Sequence, residues 1–436
     1  MISATEFKQR RHALMGRMDG NSIAIIPSAN EVMRNSDVDY PFRQDSDFYY
    51  LTGFDEPEAV LVLIPGSEVA ETLLFCRAKD QKMELWNGYR CGPDDAPTRY
   101  GVDDAFPIDD INEILPSLLE GRAKTYYAIG RNKILDESIA GWVNDLRGRA
   151  RSGVQIPTDF SDLNHHLHDL RLFKSAAEQA IMRQAGEISA RAHCRAMQLC
   201  EPGMYEYQLE ADILHEFHQS GARLPAYNSI VGSGDNACVL HYVENRRKME
   251  AGDLVLIDAG CELEYYAADI TRTFPVNGVF TQEQAALYRI VLEAQKAAIA
   301  SVKAGAHWNV VHDTTVDVIV DGLMELKLLK GSREEIIEKR RYSDFYMHRA
   351  GHWLGMDVHD VGAYRIDDHW RCLEPGMTFT VEPGIYVSPS NSDVDARWRG
   401  IGIRIEDNVL VTKSGCDVMT DGVPKEIDDI QRLMAG

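Results

Sequence analysis

Long apolar runs are missing from this 436-residue chain, and none approaches the ~20 residues that a membrane-crossing helix needs. The opening segment, MISATEFKQRRHALMGRM, reads as a charged amphipathic helix without the apolar centre of a secretion signal. Closely paired cysteines are missing too. The eight cysteines, at positions 76, 91, 194, 200, 238, 261, 372 and 416, are scattered with no CxxC pair, which fits a reducing cytoplasm better than a disulfide frame. Positive charge is short: 46 Lys and Arg stand against 68 Asp and Glu, for a net charge of −22. That argues against nucleic acid or an anionic membrane as partners, since either would need a basic face. A hydrophobic content of 44% is ordinary, and the length predicts two or more domains with ample core.

Residues 1–160 alternate helix and strand signals. A helix over about 4–18 precedes the strand NSIAIIPS; DFYYLTGF, AVLVLIPG, ETLLFCRA and YYAIG read as further strands, and ESIAGWVNDLRGRA as a helix. This predicts an α/β domain, and no GxGxxG or other phosphate loop gives it a catalytic constellation. In the joining segment SDLNHHLHDLRLFKSAAEQA, His165, His166 and His168 lack a Cys or Glu at ligand spacing and read as a solvated helix face. Helices are predicted from Ser175 towards Cys200 and over about 205–220, then over 282–304 and 307–329. Ser332–Arg341 reads as a solvated surface segment.

The second half is organised around a repeat. Met249–Gly260, MEAGDLVLIDAG, returns as Leu373–Gly384, LEPGMTFTVEPG, with Gly252 matching Gly376, Asp258 matching Glu382 and Gly260 matching Gly384. Each copy is a turn, an apolar strand, a carboxylate and a glycine. A carboxylate ending an apolar strand is costly to desolvate unless a cation compensates it, and two in register point to an internal duplication. Each has a second acid downstream, Asp269 in YYAADITRTFPV and Glu406 in IGIRIEDNVLVT, on flanks that suit adjacent antiparallel strands. His241-Tyr242-Val243 likewise echoes His359-Asp360-Val361.

FYMHRAGHWLGMDVHDVG places His348 and His352 four apart, but Arg349 replaces the zincin glutamate, and Gly351 and Gly355 oppose a regular helix. The segment instead reads as a tight loop presenting one imidazole. The candidate ligands are therefore Asp258, Asp269, His352, Glu382 and Glu406. Four carboxylates and one imidazole form a hard donor set that balances two divalent cations and suits Mn(II), with Co(II) or Zn(II) as substitutes. Two of the acids can bridge metals ~3.5–4 Å apart, the spacing of two-metal hydrolysis.

The motifs VLIDAG, ADITRTFPV, GHWLGMDVHDVG, TVEPGIY and GIRIED together resemble the methionine aminopeptidase/prolidase/aminopeptidase P superfamily, and within it the aminopeptidase P family. The resemblance covers nearly the whole chain. It implies a creatinase-like N-terminal α/β domain over 1–172 and a duplicated α+β pita-bread catalytic domain over 173–436. It implies Asp258 and Asp269 on one metal, His352 and Glu382 on the other, Asp269 and Glu406 bridging, and a bridging hydroxide that hydrolyses the N-terminal Xaa-Pro bond of peptides. Glu382 would also act as general base, His359 would stabilise the oxyanion, and His241 would assist proton movement. His348, Tyr386 and Arg404 would line the proline pocket, although Tyr386 could equally be core packing. Arg404 shares its strand face with Glu406 and can brace the ligand acids.

A homo-oligomer, dimer or tetramer, is implied by the family alone. Trp86, in MELWNGYR, lies in a stretch resembling one that reaches a neighbouring subunit's cleft, or is a core or surface aromatic. Many superfamily members carry Gly where this chain has Arg349, which is expected to point outward rather than into the cleft, to a subunit interface or a substrate tail. Competing functions are a prolidase limited to Xaa-Pro dipeptides and a non-catalytic peptide-binding module, whose mark would be lost ligands; none is lost.

Overall fold

The computed structural model describes residues 2–436, which divide into two compact units between Arg171 and Leu172. The first unit is built on a six-stranded mixed sheet in the order Asp104–Pro107, Thr72–Cys76, Val60–Leu63, Ser22–Pro27, Lys124–Tyr126, Asp159–Ser161. Its central strands are apolar on both faces and wholly buried, as a sheet covered on two sides requires. Helices Ile111–Leu119 and Lys133–Gly148 supply Leu115, Leu119, Ile139 and Trp142 to a core shared with Ile23, Ile25, Val62 and Phe75.

One expected strand is a helix. DFYYLTGF folds as helix Ser46–Thr52, because the Asp45 side chain accepts the Phe48 N–H and Gly53 closes it at φ +66°. The aromatic and β-branched residues favoured a strand, but the caps fix the local conformation. Trp86 is 79% exposed on the short helix Gln81–Asn87, none of whose residues is buried, so it is not a core residue.

The second unit shows the duplication directly. Gly252 and Gly376 adopt the same left-handed turn, each at φ +96°. Both turns lead into apolar strands, Leu254–Asp258 and Thr378–Val381. The first pairs antiparallel with Thr271–Pro275, the second with Asp407–Val411. Each half carries a helix pair, Ala176–Leu199 with Glu206–Gln219 and Gln282–Ser301 with Asn309–Glu325. The long helix of each pair starts with a capping box, Ser175/Glu178 and Thr281/Gln284. Expected helix ends run a few residues past the observed ones, as fraying ends do. Ser332–Arg341 contains a short helix, Arg333–Glu338, anchored by buried Ile336. Among the described residues no helix is long and apolar enough to cross a membrane.

Candidate metal centre

The strand pairing carries four acids to one place. Asp258 ends its strand opposite Thr271, and Asp269 lies two residues before that partner. Gly260 lets the chain between them double back; a Cβ there would lie 1.8 Å from the Ala268 carbonyl oxygen. In the second half Glu382 follows Val381, which pairs with Asp407, the neighbour of Glu406. An isolated β-bridge, Thr271 to Glu406, joins the two halves. There the Glu406 N–H donates to the Thr271 carbonyl at 3.0 Å, and Thr271 Oγ1 donates to Glu406 Oε2 at 2.6 Å.

His352 comes from irregular backbone, so no zincin helix exists here. Gly351 presses its loop onto strand Thr378–Val381, where a Cβ would sit 1.9 Å from the Thr380 carbonyl oxygen. Two hydrogen bonds then pin His352 to Thr380: its N–H donates to Thr380 Oγ1 at 3.1 Å, and its carbonyl accepts the Thr380 N–H at 3.0 Å. The imidazole is oriented by Nδ1, 3.0 Å from the Trp353 carbonyl oxygen. That leaves Nε2 facing Asp269 Oδ2 at 3.4 Å and Glu382 Oε1 at 3.5 Å. Asp269, His352 and Glu406 each offer a ligand atom within 4.8 Å of the others.

This arrangement fits a divalent cation. An imidazole whose Nδ1–H is bound to a carbonyl directs the Nε2 lone pair towards the carboxylates, which is unfavourable unless a proton or a metal lies between. Without a metal the proton takes that place. Burial opposes the charge on His352, but the Asp269 contact and the charges of Glu382 and Asp269 outweigh it and lift the imidazole to about 9. The acids respond in the opposite sense. Burial, then the charge of Asp258, raises Asp269; burial, then Asp269 and Glu382, raises Glu406 well above the carboxylate range. Burial brings Glu382 up to about 7, with His352 opposing and Asp269 adding to the rise. Four acids share too little positive charge.

The compensation present is directional. Arg404 donates from Nη2 to Asp258 Oδ2 at 2.6 Å, from Nε to Thr271 Oγ1 at 3.1 Å and from Nη1 to Tyr386 Oη at 2.9 Å. Tyr386 Oη lies 2.9 Å from His348 Nε2, while His348 Nδ1 is 2.8 Å from the Arg349 carbonyl oxygen. Both ring nitrogens are thus engaged, and burial, helped by the Arg404 charge, drives His348 down to about 3.

A cavity of about 980 Å³ opens above the acids, lined by all five candidate ligands and by His241, His348, His359 and Arg404. Tyr386 is not on this wall. It is 2% exposed and packs with Ile230, Ala237 and Leu256, so it meets the cavity through His348 and Arg404. Arg349 does line the wall, contrary to the outward orientation expected for it, because its guanidinium folds over the Trp370 ring and donates to Asn309 Oδ1. His359 stacks edge-on against His352 at 4.3 Å between ring centroids. Burial, with the charges of His352 and His241, keeps its pKa low.

Sequence reasoning missed three supports. Tyr227 Oη lies 2.6 Å from Asp258 Oδ1 and 2.5 Å from Asp269 Oδ1. Its signal was register: Tyr227 stands three residues before Ile230, whose strand partner is Asp258. Asn408 Oδ1 accepts the Asp269 N–H at 2.9 Å. The buried pair Lys174–Asp360, at 2.8 Å, fixes the loop beside His359. In the first unit His168 is not a bystander: its Nε2 is 3.1 Å from Asp47 Oδ2.

Comparison with known proteins agrees with this geometry. Residues 180–413 match the model for metallopeptidase family M24, and residues 7–127 match the aminopeptidase P N-terminal domain. The Xaa-Pro aminopeptidase of Escherichia coli K12 is 48% identical over 434 residues, covering 99% of this chain and 98% of that protein. That of Haemophilus influenzae is 46% identical, covering 98% of this chain and 97% of that protein. The solved aminopeptidase PepP of Pseudomonas aeruginosa superposes with a TM-score of 0.98 at 57% identity, covering all of this chain and 98% of that one. A zinc-substituted E. coli aminopeptidase P in complex with product superposes at 0.97 and 48% identity, covering all of this chain and 98% of that one. The chain belongs to metallopeptidase family M24, and within it to the Xaa-Pro aminopeptidases: a peptide hydrolase with an aminopeptidase P N-terminal domain and a pita-bread catalytic domain.

Proposed function

We propose that this enzyme releases the first residue of peptides that carry proline at the second position, using two divalent metal ions. The observation that carries this reading is the ring of four acids, three of them raised by burial and by one another's charge, around an imidazole whose Nε2 is aimed at Asp269 and Glu382. Asp258, Asp269, His352, Glu382 and Glu406 would hold the ions, with Mn(II) favoured by the oxygen-rich set. Such ions supply Lewis acidity and a water that loses its proton near neutral pH.

The chain's own residues do the rest. Glu382 would accept that proton on a carboxylate oxygen, while Thr380 Oγ1 holds Oε1 at 3.2 Å. His359, kept neutral, donates an N–H to the scissile oxygen as it gains charge. His241 lines the same wall and assists proton movement at the leaving nitrogen. Arg404 holds Asp258 in orientation. His348, both nitrogens engaged, offers an uncharged ring face to a pyrrolidine that has no N–H to donate.

The deciding experiment compares an Xaa-Pro-Xaa tripeptide with the Xaa-Pro dipeptide on Mn(II)-loaded enzyme. Release of the first residue from the tripeptide is expected; turnover of the dipeptide alone would make it a prolidase. His359→Ala should keep its metal content and lose about 10²-fold or more in rate. A parallel loss of metal would move His359 among the ligands. The reading also includes a homo-oligomer, dimer or tetramer, supported by the exposed Leu85, Trp86 and Tyr89, and measurable by light scattering. A cytoplasmic location is supported by eight free cysteines.

A further inference from the structure

The wall of the cavity carries an arrangement that the chemistry at the acids does not require. A hairpin, Arg365–Ile366 with His369–Trp370, pairs Arg365 with Trp370 across a tight turn in which Asp367 and Asp368 have φ of +47° and +63°. The Arg365 guanidinium lies 4.1 Å from the Trp370 ring centroid, and Arg349, from the histidine loop, lies 5.1 Å from the same ring. All three side chains line the cavity. Neither arginine forms an ion pair with a carboxylate among the described residues. Arg349 spends one N–H on Asn309 Oδ1, and Asn309 turns its amide nitrogen to Asp313 at 2.7 Å.

Two guanidiniums gathered on one indole repel each other, and in a chain of net charge −22 their lack of a carboxylate partner is conspicuous. Stacking on the indole fixes both planes and leaves their N–H edges open, which is how arginine is presented to a carboxylate. The charge along the cavity is therefore graded. Asp258, Asp269 and Glu406 are buried at its floor, at 8%, 5% and 2% exposure, whereas Arg349 and Arg365 are exposed at its rim. A short peptide has the matching polarity, with an ammonium at one end and a carboxylate at the other.

We propose that Arg349 and Arg365, held on Trp370, bind a carboxylate of the substrate downstream of the proline, so that the enzyme prefers short peptides ending there or acidic residues at that position. This rests on the Xaa-Pro aminopeptidase reading above. Xaa-Pro-Gly, its C-terminal amide and the amide of Xaa-Pro-Glu are compared on Mn(II)-loaded wild type, R349M, R365M and R365E. Charge-assisted hydrogen bonds of this kind predict a KM at least about tenfold lower for Xaa-Pro-Gly than for its amide in the wild type. That ratio should fall below about threefold in either methionine variant and reverse in R365E towards a peptide ending in lysine amide. A reversal cannot come from misfolding. Binding of the product Pro-Gly against Pro-Gly amide, by calorimetry, gives the same ratio without turnover. Equal KM for acid and amide in the wild type, or a ratio unchanged by the variants, overturns the inference and leaves the peptidase assignment standing. No cleavage of any Xaa-Pro peptide overturns that assignment and the inference with it. If Xaa-Pro-Glu amide regains the preference, the rim reads any carboxylate; if only the free acid does, it reads the chain end.

Discussion

Asp47 in the first unit and Glu406 in the second are both nearly inaccessible carboxylates, 5% and 2% exposed. Asp47 is met by Arg171 at 2.7 Å and by Arg131 and His168 at 3.1 Å. Burial works against its charge, but the His168 contact and the Arg171 charge outweigh it and hold the carboxyl well below the usual range. Glu406 is surrounded by three other acids, whose charges and its burial outweigh the opposing charge of Arg404 and push it far the other way. One cluster is complete within the chain. The other is complete only with a ligand of positive charge, and that is the physical difference between a structural ionic cluster and a functional one.

Neutralising the second cluster has the largest expected effect on activity. Glu406→Gln removes one charge from the ligand set, and hydrolysis of an Xaa-Pro tripeptide should fall at least about 10³-fold with loss of bound metal. Retained turnover would remove Glu406 from the site. The corresponding change in the first cluster acts on stability. Asp47→Ala removes the carboxylate that buried Arg171 meets at 2.7 Å, and unfolding should become easier by about 3–5 kcal/mol, read from denaturant midpoints of the metal-free protein.

The two clusters also predict opposite responses to pH. Asp47 is lowered on folding, so its contribution is full above the unfolded value of ~3.9 and is lost as pH falls below it. Glu382 is raised to about 7, so in the metal-free protein its penalty is absent below the unfolded value and grows as pH rises towards 7. After chelation, Glu382→Gln should therefore melt above the wild type at pH 8, by a margin on the order of 3 kcal/mol, and the margin should vanish near pH 4.5. An Asp47→Asn deficit should behave in reverse, full at pH 6 and shrinking below pH 4. Parallel curves for the two variants would mean that the acids of the second cluster are compensated after all.

How much of this was legible follows from what each residue depends on. The repeat of Met249–Gly260 at Leu373–Gly384 is a local pattern, and the shared φ of +96° at Gly252 and Gly376 shows that it was read at the right register. At Ser46–Thr52 the aromatic composition favours a strand, but the Asp45 cap and Gly53 decide so short an element and make it a helix. Arg349 was placed outward because its partners, Trp370 and Asn309, lie 21 and 40 residues away, and no local period announces them. Sequence leaves Tyr386 open between pocket wall and core packing; it sits one side chain behind the wall, a distinction that only packing against Ile230 and Leu256 makes.

Tyr227 sharpens the comparison at its smallest scale, since it is a neutral donor placed between two acids of the second cluster, Asp258 and Asp269. Burial, then the charges of Asp258 and Asp269, raises its hydroxyl well above the ordinary phenol value, so it keeps its proton and can give it to only one carboxylate at a time. It therefore orients the pair without neutralising it, as a donor behind metal ligands does. Tyr227→Phe should weaken metal retention by about 10–100-fold, measured by competition with a fluorescent chelator, while Glu406 and His352 keep their own contacts. Unchanged affinity would show that Arg404 alone positions Asp258, and that the hydroxyl only fills space between two acids that the metal would otherwise draw together.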